Sequence, residues 1–219
     1  MKPTIALFRD ETSEATAECG DGVIFALSPH FNIKIFTIEQ CVPETFQGVD
    51  LIVFPGGVGD SDDYYELFLR KRANAVADFV AQGGAYLGIC VGAYWAGYYY
   101  FDILDDIDAV QYIRQPTADI RKSYNTAARV LWNGKPERMF FRDGCTFTGD
   151  LTKAEIVSTY ANAEPMCIIQ GKIGLMGACP DSLESWYKDK HVKPYWHQGR
   201  HHELLVDFVH KLINHKVAT

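Results

Sequence analysis

Short apolar runs alternate with amphipathic stretches through the first part of the chain. Residues 4–8 and 50–54 are almost wholly apolar, as strands covered on both faces of a parallel sheet must be. By the same pattern, further strands are predicted at 32–38 and 85–89, and helices at 15–27 and 64–82. This alternation predicts βαβ crossovers and therefore an α/β fold with a doubly wound, mostly parallel sheet flanked by helices.

The pattern changes between about residue 114 and residue 170, where short β-rich segments are separated by turns. Asn133-Gly134 is typical of a tight hairpin, and Gln170-Gly171-Lys172 is interpreted as a second one. We expect an antiparallel β extension of the sheet, with strands predicted at 126–131, 138–141, 145–148, 156–160, 166–170 and 172–176. A final helix that packs on the sheet is predicted from the apolar stripe Leu204, Leu205, Phe208, Val209, Leu212 and Ile213.

Composition and charge narrow the class of protein. The chain has 219 residues, which is enough for one α/β domain (1–219) with a sizeable core. Its formal net charge of −7 argues against an electrostatic nucleic-acid binder. The apolar run at its N-terminus is too short for a signal peptide or a membrane span. We expect a cytoplasmic protein without nucleic-acid or membrane partners; self-association into a homo-oligomer stays open.

Six cysteines, with no Cys-x-x-Cys pair, are scattered at positions 19, 41, 90, 145, 167 and 179. Because a domain of this size needs no disulfides to hold its core, we expect reduced thiols.

One of these residues, Cys90, directly follows the predicted strand 85–89. Gly88 and Gly92 stand two residues before and after it, in the Gly-x-Nuc-x-Gly pattern of a nucleophile elbow. Such a turn holds its central residue at positive φ and exposes the side chain at the end of the strand. A helix expected at 91–97 would favour a thiolate. The alternative is a buried cysteine at an ordinary turn.

A second glycine-rich stretch, PGGVGD at 55–60, follows the predicted strand 50–54. It lacks the Lys and Ser/Thr of a nucleotide P-loop, and alone it is equally consistent with a tight turn. Beside an elbow on the next strand, it is predicted to form half of an oxyanion hole, with the Val91 N–H as the other half. The predicted pocket residues are Gly56, Gly57, Val91, Gly92 and Tyr94.

Three segments resemble the class I glutamine amidotransferase-like superfamily, and within it most closely the family of the biotin-protein ligase N-terminal domain. They are GGAYLGICVGAY at 83–94, LIVFPGG at 51–57 and GACPDS at 177–182. The resemblance implies a flavodoxin-like sheet and a pocket at Cys90 that takes an unidentified small molecule. No cofactor and no metal are predicted, and no Gly-Arg-Gly-Arg loop for biotin adenylation occurs.

The sequence departs from this resemblance where a catalytic triad would finish. Active amidotransferases of the superfamily carry His-Pro-Glu there, whereas this chain has Cys179-Pro180-Asp181. The base that would deprotonate Cys90 is therefore missing at its expected position, and Asp181 has no imidazole to orient. Cys90, Cys179 and Asp181 are the predicted catalytic-site residues, and no glutaminase activity is expected. Cys179 is predicted to face Cys90, either filling space in an inactive site or acting as a resolving thiol.

Other residues could replace the missing base. Four histidines lie close together in sequence, at His191, His197, His201 and His202. They are interpreted as a loop base, a metal site, a surface tract or, for His201 and His202, simply the N-terminal turn of the last helix. Glu11 or Glu14, after the first strand, is a possible carboxylate partner for Cys90.

Three classes of function follow from these alternatives. We favour a non-glutaminase binding or regulatory domain. A cysteine-dependent hydrolase or amidase with a non-standard base and a redox-active cysteine protein are the alternatives.

Overall fold

The computed structural model describes residues 2–11, 14–57 and 61–215, and these ranges contain four α-helices and eleven strands. The strands are β1 (Thr4–Phe8), β2 (Asn32–Phe36), β3 (Leu51–Phe54), β4 (Ala85–Ile89), β5 (Ile107–Gln111), β6 (Thr126–Trp132), β7 (Lys135–Phe141), β8 (Cys145–Gly149), β9 (Glu155–Tyr160), β10 (Pro165–Gln170) and β11 (Ile173–Met176). The helices are α1 (Glu14–Leu27), α2 (Arg70–Ala81), α3 (Val91–Tyr94) and α4 (Arg200–Ile213). Within the described ranges, none of the helices combines the length and the apolar character that crossing a bilayer requires.

Nine of these strands form one sheet in the order β2-β1-β3-β4-β11-β10-β9-β6-β7. The five strands from β2 to β11 run parallel to their neighbours. The pairs from β11 through β10, β9 and β6 to β7 are antiparallel. The predicted α/β fold with an antiparallel extension is therefore confirmed.

Two strands of the second half differ from the prediction. The strand β11 was expected in the antiparallel extension, but it pairs parallel with β4 in the middle of the sheet. All four of its residues are buried, which suits an interior strand covered on both faces. The strand β8 leaves the main sheet and pairs with β5 in a separate two-stranded sheet.

The long helix predicted at 64–82 is divided. A 3₁₀ helix spans Ser61–Phe68, and α2 begins only after Leu69, whose backbone is extended with φ −59° and ψ 138°. The Arg72 guanidinium donates a hydrogen bond of 2.9 Å to the Glu66 carbonyl. This bond satisfies a carbonyl at the end of the 3₁₀ segment and stabilises the break.

The main sheet separates two apolar layers. Along β1 the side chains alternate, so Ile5 and Leu7 pack in the layer that contains α1 and α4. Phe8 packs in the opposite layer with Phe54 and Trp95. The final helix lies on the sheet as predicted.

Gly174 explains how α4 approaches the sheet so closely. A Cβ at Gly174, in β11, would lie 2.7 Å from the Phe208 ring and 2.8 Å from Leu212. A glycine at this point therefore lets the helix rest directly on the strand.

The carboxyl ends of β3, β4 and β11 meet at one edge of the sheet. The Cys90 N–H, just after β4, donates a hydrogen bond of 2.8 Å to the Met176 carbonyl at the end of β11. In parallel α/β sheets this edge is where ligands bind, and here it brings Gly56, Cys90 and Cys179 together.

Candidate functional site

The backbone at Cys90 has the left-handed geometry that the elbow pattern predicts, with φ 53° and ψ −109°. A Cβ at Gly88 would lie 2.3 Å from the Gly92 carbonyl oxygen, and one at Gly92 would lie 2.1 Å from that of Phe54. Both glycines are thus required by the packing of the turn. A residue held in such a region costs about 1–3 kcal/mol, so the surrounding packing must impose it.

The helix after Cys90 is shorter than predicted. It spans Val91–Tyr94 rather than 91–97, and its four residues are too few to provide a substantial helix dipole. A helix does begin directly after Cys90, so support for a thiolate from its first turn stays a prediction. The chain bends away because the carbonyls of Trp95 and Ala96 accept hydrogen bonds from Phe101 and Ile103.

The half-buried Cys90 side chain borders a cavity of about 310 Å³. Gly56, Gly57 and Cys179, all predicted as site residues, line the same cavity. Val91 and Tyr94 line an adjoining cavity of about 620 Å³ that shares Gly57 and Cys90. Gly92 is buried behind the turn, so its part is to support the backbone.

The two predicted halves of an oxyanion hole lie side by side. A Cβ at Gly56 would lie 3.6 Å from the Cys90 Cβ, and one at Gly57 would lie 3.3 Å from Val91 Cγ1. The rest of the glycine-rich stretch, residues 58–60, lies outside the described residues. A role for these N–H groups in stabilising an oxyanion stays a prediction.

Cys179 lines this cavity with Cys90, and the neighbouring Cys90 thiol is the largest influence on the pKa of Cys179, followed by burial. Both raise the pKa of Cys179 well above its usual value, so Cys179 is held as a protonated thiol. Its own N–H donates to the Phe140 carbonyl at 2.9 Å, which fixes it against β7. The Cys90 thiol lies 3.9 Å from the Arg142 carbonyl oxygen on the other side.

A third thiol, Cys19 of α1, lines the same cavity. Its sulfur lies 3.5 Å from where a Cβ of Gly56 would be. Burial raises the pKa of Cys19 far above its usual value. All six cysteines lie within the described residues, and none of them forms a disulfide.

Asp181 lies behind this cavity and is fully buried. Neither of its carboxylate oxygens has a hydrogen-bond partner among the described residues, and burial raises its pKa to about 7. A Cβ at Gly22 would lie 2.3 Å from the Asp181 carbonyl oxygen, so that glycine lets α1 pack directly against this segment. The predicted catalytic role of Asp181 stays a prediction, since the structure places the carboxyl away from the cavity wall.

The alternative histidine bases lie elsewhere. His197 Nδ1 accepts the N–H groups of Gly199 at 3.2 Å and His201 at 3.3 Å, so the neutral ring carries its proton on Nε2, 3.3 Å from the Ser182 carbonyl oxygen. Burial is the main cause that lowers the pKa of His197 to about 3. Both nitrogens of this ring are engaged, so it cannot serve Cys90 as a base.

His201 and His202 are buried at the start of α4, which makes the surface-tract interpretation wrong. His202 Nε2 lies 2.9 Å from the Ser182 carbonyl oxygen, and His191 Nε2 lies 2.6 Å from the Asn125 carbonyl oxygen. In the described part of the chain, no cluster of three or more His, Cys, Asp or Glu residues could hold a metal ion.

Two carboxylates line the Cys90 cavity, Glu18 and Asp189, and neither is one of those considered from the sequence. Glu11 is exposed and pairs with Arg9, and Glu14 is exposed at the start of α1. Glu18, one helical turn after Glu14, lines the cavity. Helical periodicity from Glu14 could have indicated it.

Other cavity residues come from loops that carry no recognisable motif. They are Asn125, Arg142, Ser185, Trp186, Lys188 and Asp189.

Comparison with known proteins supports the resemblance seen in the sequence. The family described as biotin-protein ligase, N terminal, matches residues 8–106, a span that includes Cys90 but ends before Cys179. No curated protein matches the chain.

Solved structures match nearly the whole chain. A glutamine amidotransferase from Thermotoga maritima has a TM-score of 0.69 at 13% identity, covering 98% of this chain and 99% of its own. A putative GMP synthase protein from Thermoplasma acidophilum has a TM-score of 0.61 at 14% identity, with 99% of each chain covered. A glutamine amido transferase from Methylobacillus flagellatus has a TM-score of 0.62 at 10% identity, covering 100% of this chain and 98% of its own. At such low identities these matches show the fold alone, which is that of the glutamine amidotransferases.

Proposed function

We propose that this glutamine amidotransferase-like protein binds a small molecule in the Cys90 cavity and does not hydrolyse glutamine. One observation carries the proposal: the Cys179 thiol lines the cavity that Cys90 borders, and among the described residues no imidazole lines it. Acyl transfer from an amide needs a base to activate the nucleophile and an acid to protonate the leaving amine. A protonated cysteine with a raised pKa is poorly suited to accept the first proton.

The chemistry of the cavity wall indicates a class of ligand. Arg142 and Lys188 contribute cations, and Glu18 and Asp189 contribute carboxylates, so the wall carries both signs of charge. The Trp186 side chain adds an apolar surface. The cavity volume of about 310 Å³ is at the lower end for small-molecule sites. These features fit a small zwitterion of the size of a free amino acid.

A variant that fills the cavity tests this proposal. Ser185 is exposed and lines the cavity, so Ser185→Trp places an indole in it without altering the core. Glu184→Trp is the matched control, because Glu184 is exposed beside it and does not line the cavity. In thermal shift measurements with a panel of free amino acids, at least one should stabilise the natural protein and the Glu184→Trp control but not Ser185→Trp.

Two results would contradict the proposal. One is the same ligand shift in Ser185→Trp, which would place the binding site elsewhere. The other is the absence of any shift across the panel, which would exclude amino-acid-sized zwitterions as ligands.

A further inference from the structure

Cys90 and Cys179 follow two neighbouring strands and line one cavity. In the parallel pairing of β4 and β11, Ile89 lies opposite Met176. Cys90 is the first residue after β4, and Cys179 is the third residue after β11. Cys90 is half-buried and borders the cavity, whereas only 7% of Cys179 is exposed. One thiol is therefore open to a small reagent, and a shielded thiol lines the same cavity.

We propose that Cys90 and Cys179 form a reversible disulfide when a hydroperoxide entering the cavity oxidises Cys90. This gives the cavity a second activity, thiol-dependent peroxide reduction. The activity needs no ligand of the kind proposed above, so either proposal can fail without the other.

The first step oxidises Cys90. Its sulfur, as the thiolate, attacks one oxygen of the hydroperoxide and the O–O bond breaks. This leaves a sulfenic acid on Cys90 and releases an alcohol, or water where the oxidant is hydrogen peroxide, which takes up the proton lost by the thiol.

The second step oxidises the pair. The Cys179 sulfur attacks the Cys90 sulfur, the S–O bond breaks, and the departing hydroxide leaves as water with the proton of Cys179. Two thiols have then lost two electrons and two protons, and the peroxide has been reduced. An external dithiol reductant returns the disulfide to two thiols by exchange.

The geometry favours Cys179 over Cys19 as the resolving thiol. Cys179 follows β11, the strand beside β4, whereas Cys19 lies on α1 and reaches the cavity beside Gly56. A disulfide needs its sulfurs at about 2.05 Å and its Cα atoms within about 7 Å. The ends of two paired strands bring the backbones of Cys90 and Cys179 close together.

Peptide mapping tests this order of events. The reduced natural protein is treated with one equivalent of hydrogen peroxide, alkylated and digested without reductant. We expect an intrachain Cys90–Cys179 peptide that disappears after dithiothreitol. The Cys19→Ser variant, as matched control, should give the same peptide in similar yield.

The Cys179→Ala variant should lose this peptide by about tenfold or more and accumulate sulfenic and sulfinic acid on Cys90, because no resolving thiol is left. A second measurement needs no variant: one equivalent of phenylarsine oxide, which bridges neighbouring thiols, should protect Cys90 and Cys179 together from alkylation. The proposal is overturned if the natural protein gives a Cys19–Cys90 peptide, a cross-link between chains, or overoxidised Cys90 without any cross-link.

Discussion

At the scale of single residues, the site is defined by groups that burial holds in their neutral forms. Cys179 is kept protonated beside Cys90, and Asp181 is fully buried without a partner among the described residues. A buried carboxyl with no cation to pair with resists ionisation. At the positions where the resemblance places the histidine and glutamate of a triad, this chain has a thiol and a carboxyl that ionises near neutral pH.

The first prediction at this scale concerns Asp181. Its pKa is raised from 3.8 to about 7. Between pH 3.8 and pH 7, the folded protein therefore holds a proton on this carboxyl that the unfolded chain has lost. The free energy of unfolding therefore falls as pH rises from about 4 to 7, by at most roughly 4 kcal/mol from this group. Asp181→Asn removes this loss, so the variant should gain stability relative to the natural protein across that range.

Denaturant unfolding of both proteins at a series of pH values from 4 to 8 measures this difference. The buried histidines, whose lowered pKa values act in the opposite direction, are present in both proteins and cancel in the comparison. A difference in unfolding free energy that does not change with pH would show that Asp181 ionises normally.

At the scale of elements, the turn from β4 to α3 holds Cys90 through backbone packing. The Tyr86 hydroxyl donates a hydrogen bond of 2.7 Å to the Gly92 carbonyl, and Gly92 itself packs against Phe54. Three parts of the fold, β3, β4 and α3, are therefore fixed at one point. This explains how a non-glycine residue is kept at positive φ.

The prediction at this scale is that Gly92→Ala destabilises the protein and displaces Cys90. The added Cβ would lie 2.1 Å from the Phe54 carbonyl oxygen. This clash is with backbone, so the backbone would have to move to remove it. We expect a loss of about 2 kcal/mol or more in the free energy of unfolding. Alkylation of Cys90 by iodoacetamide should change in rate as well.

Gly20→Ala is the matched control. Gly20 lies inside α1, and the atoms nearest to its added Cβ belong to the Arg9 side chain, the first at 3.1 Å, with no backbone among the three nearest. This variant should be neutral or stabilised by up to about 1 kcal/mol. Equal effects of the two changes would contradict the packing account of the turn.

At the scale of the whole molecule, the sequence predicted the parallel half of the sheet better than the rest. Runs such as 4–8 and 50–54 are apolar throughout, and that pattern belongs to strands covered on both faces. It does not show which strands pair, so the position of β11 beside β4 and the separation of β8 could not be deduced from periodicity.

The candidate site, like the sheet, could be predicted from the sequence only in part. Cys90 and the glycines around it follow a local pattern, and Cys179 was expected opposite Cys90 through the resemblance. Glu18, Arg142 and Lys188 join the cavity from a helix and two loops far apart in sequence. Their meeting depends on long-range packing, which no local pattern encodes.

The most direct test of the account is ammonia release from L-glutamine by the purified protein, compared with Cys90→Ala. With Cys179 lining the same cavity as Cys90 and no imidazole in the described cavity wall, we predict equal release from both proteins, at the level of the buffer. Glutamine-dependent ammonia release by the natural protein that Cys90→Ala abolishes would contradict the central claim.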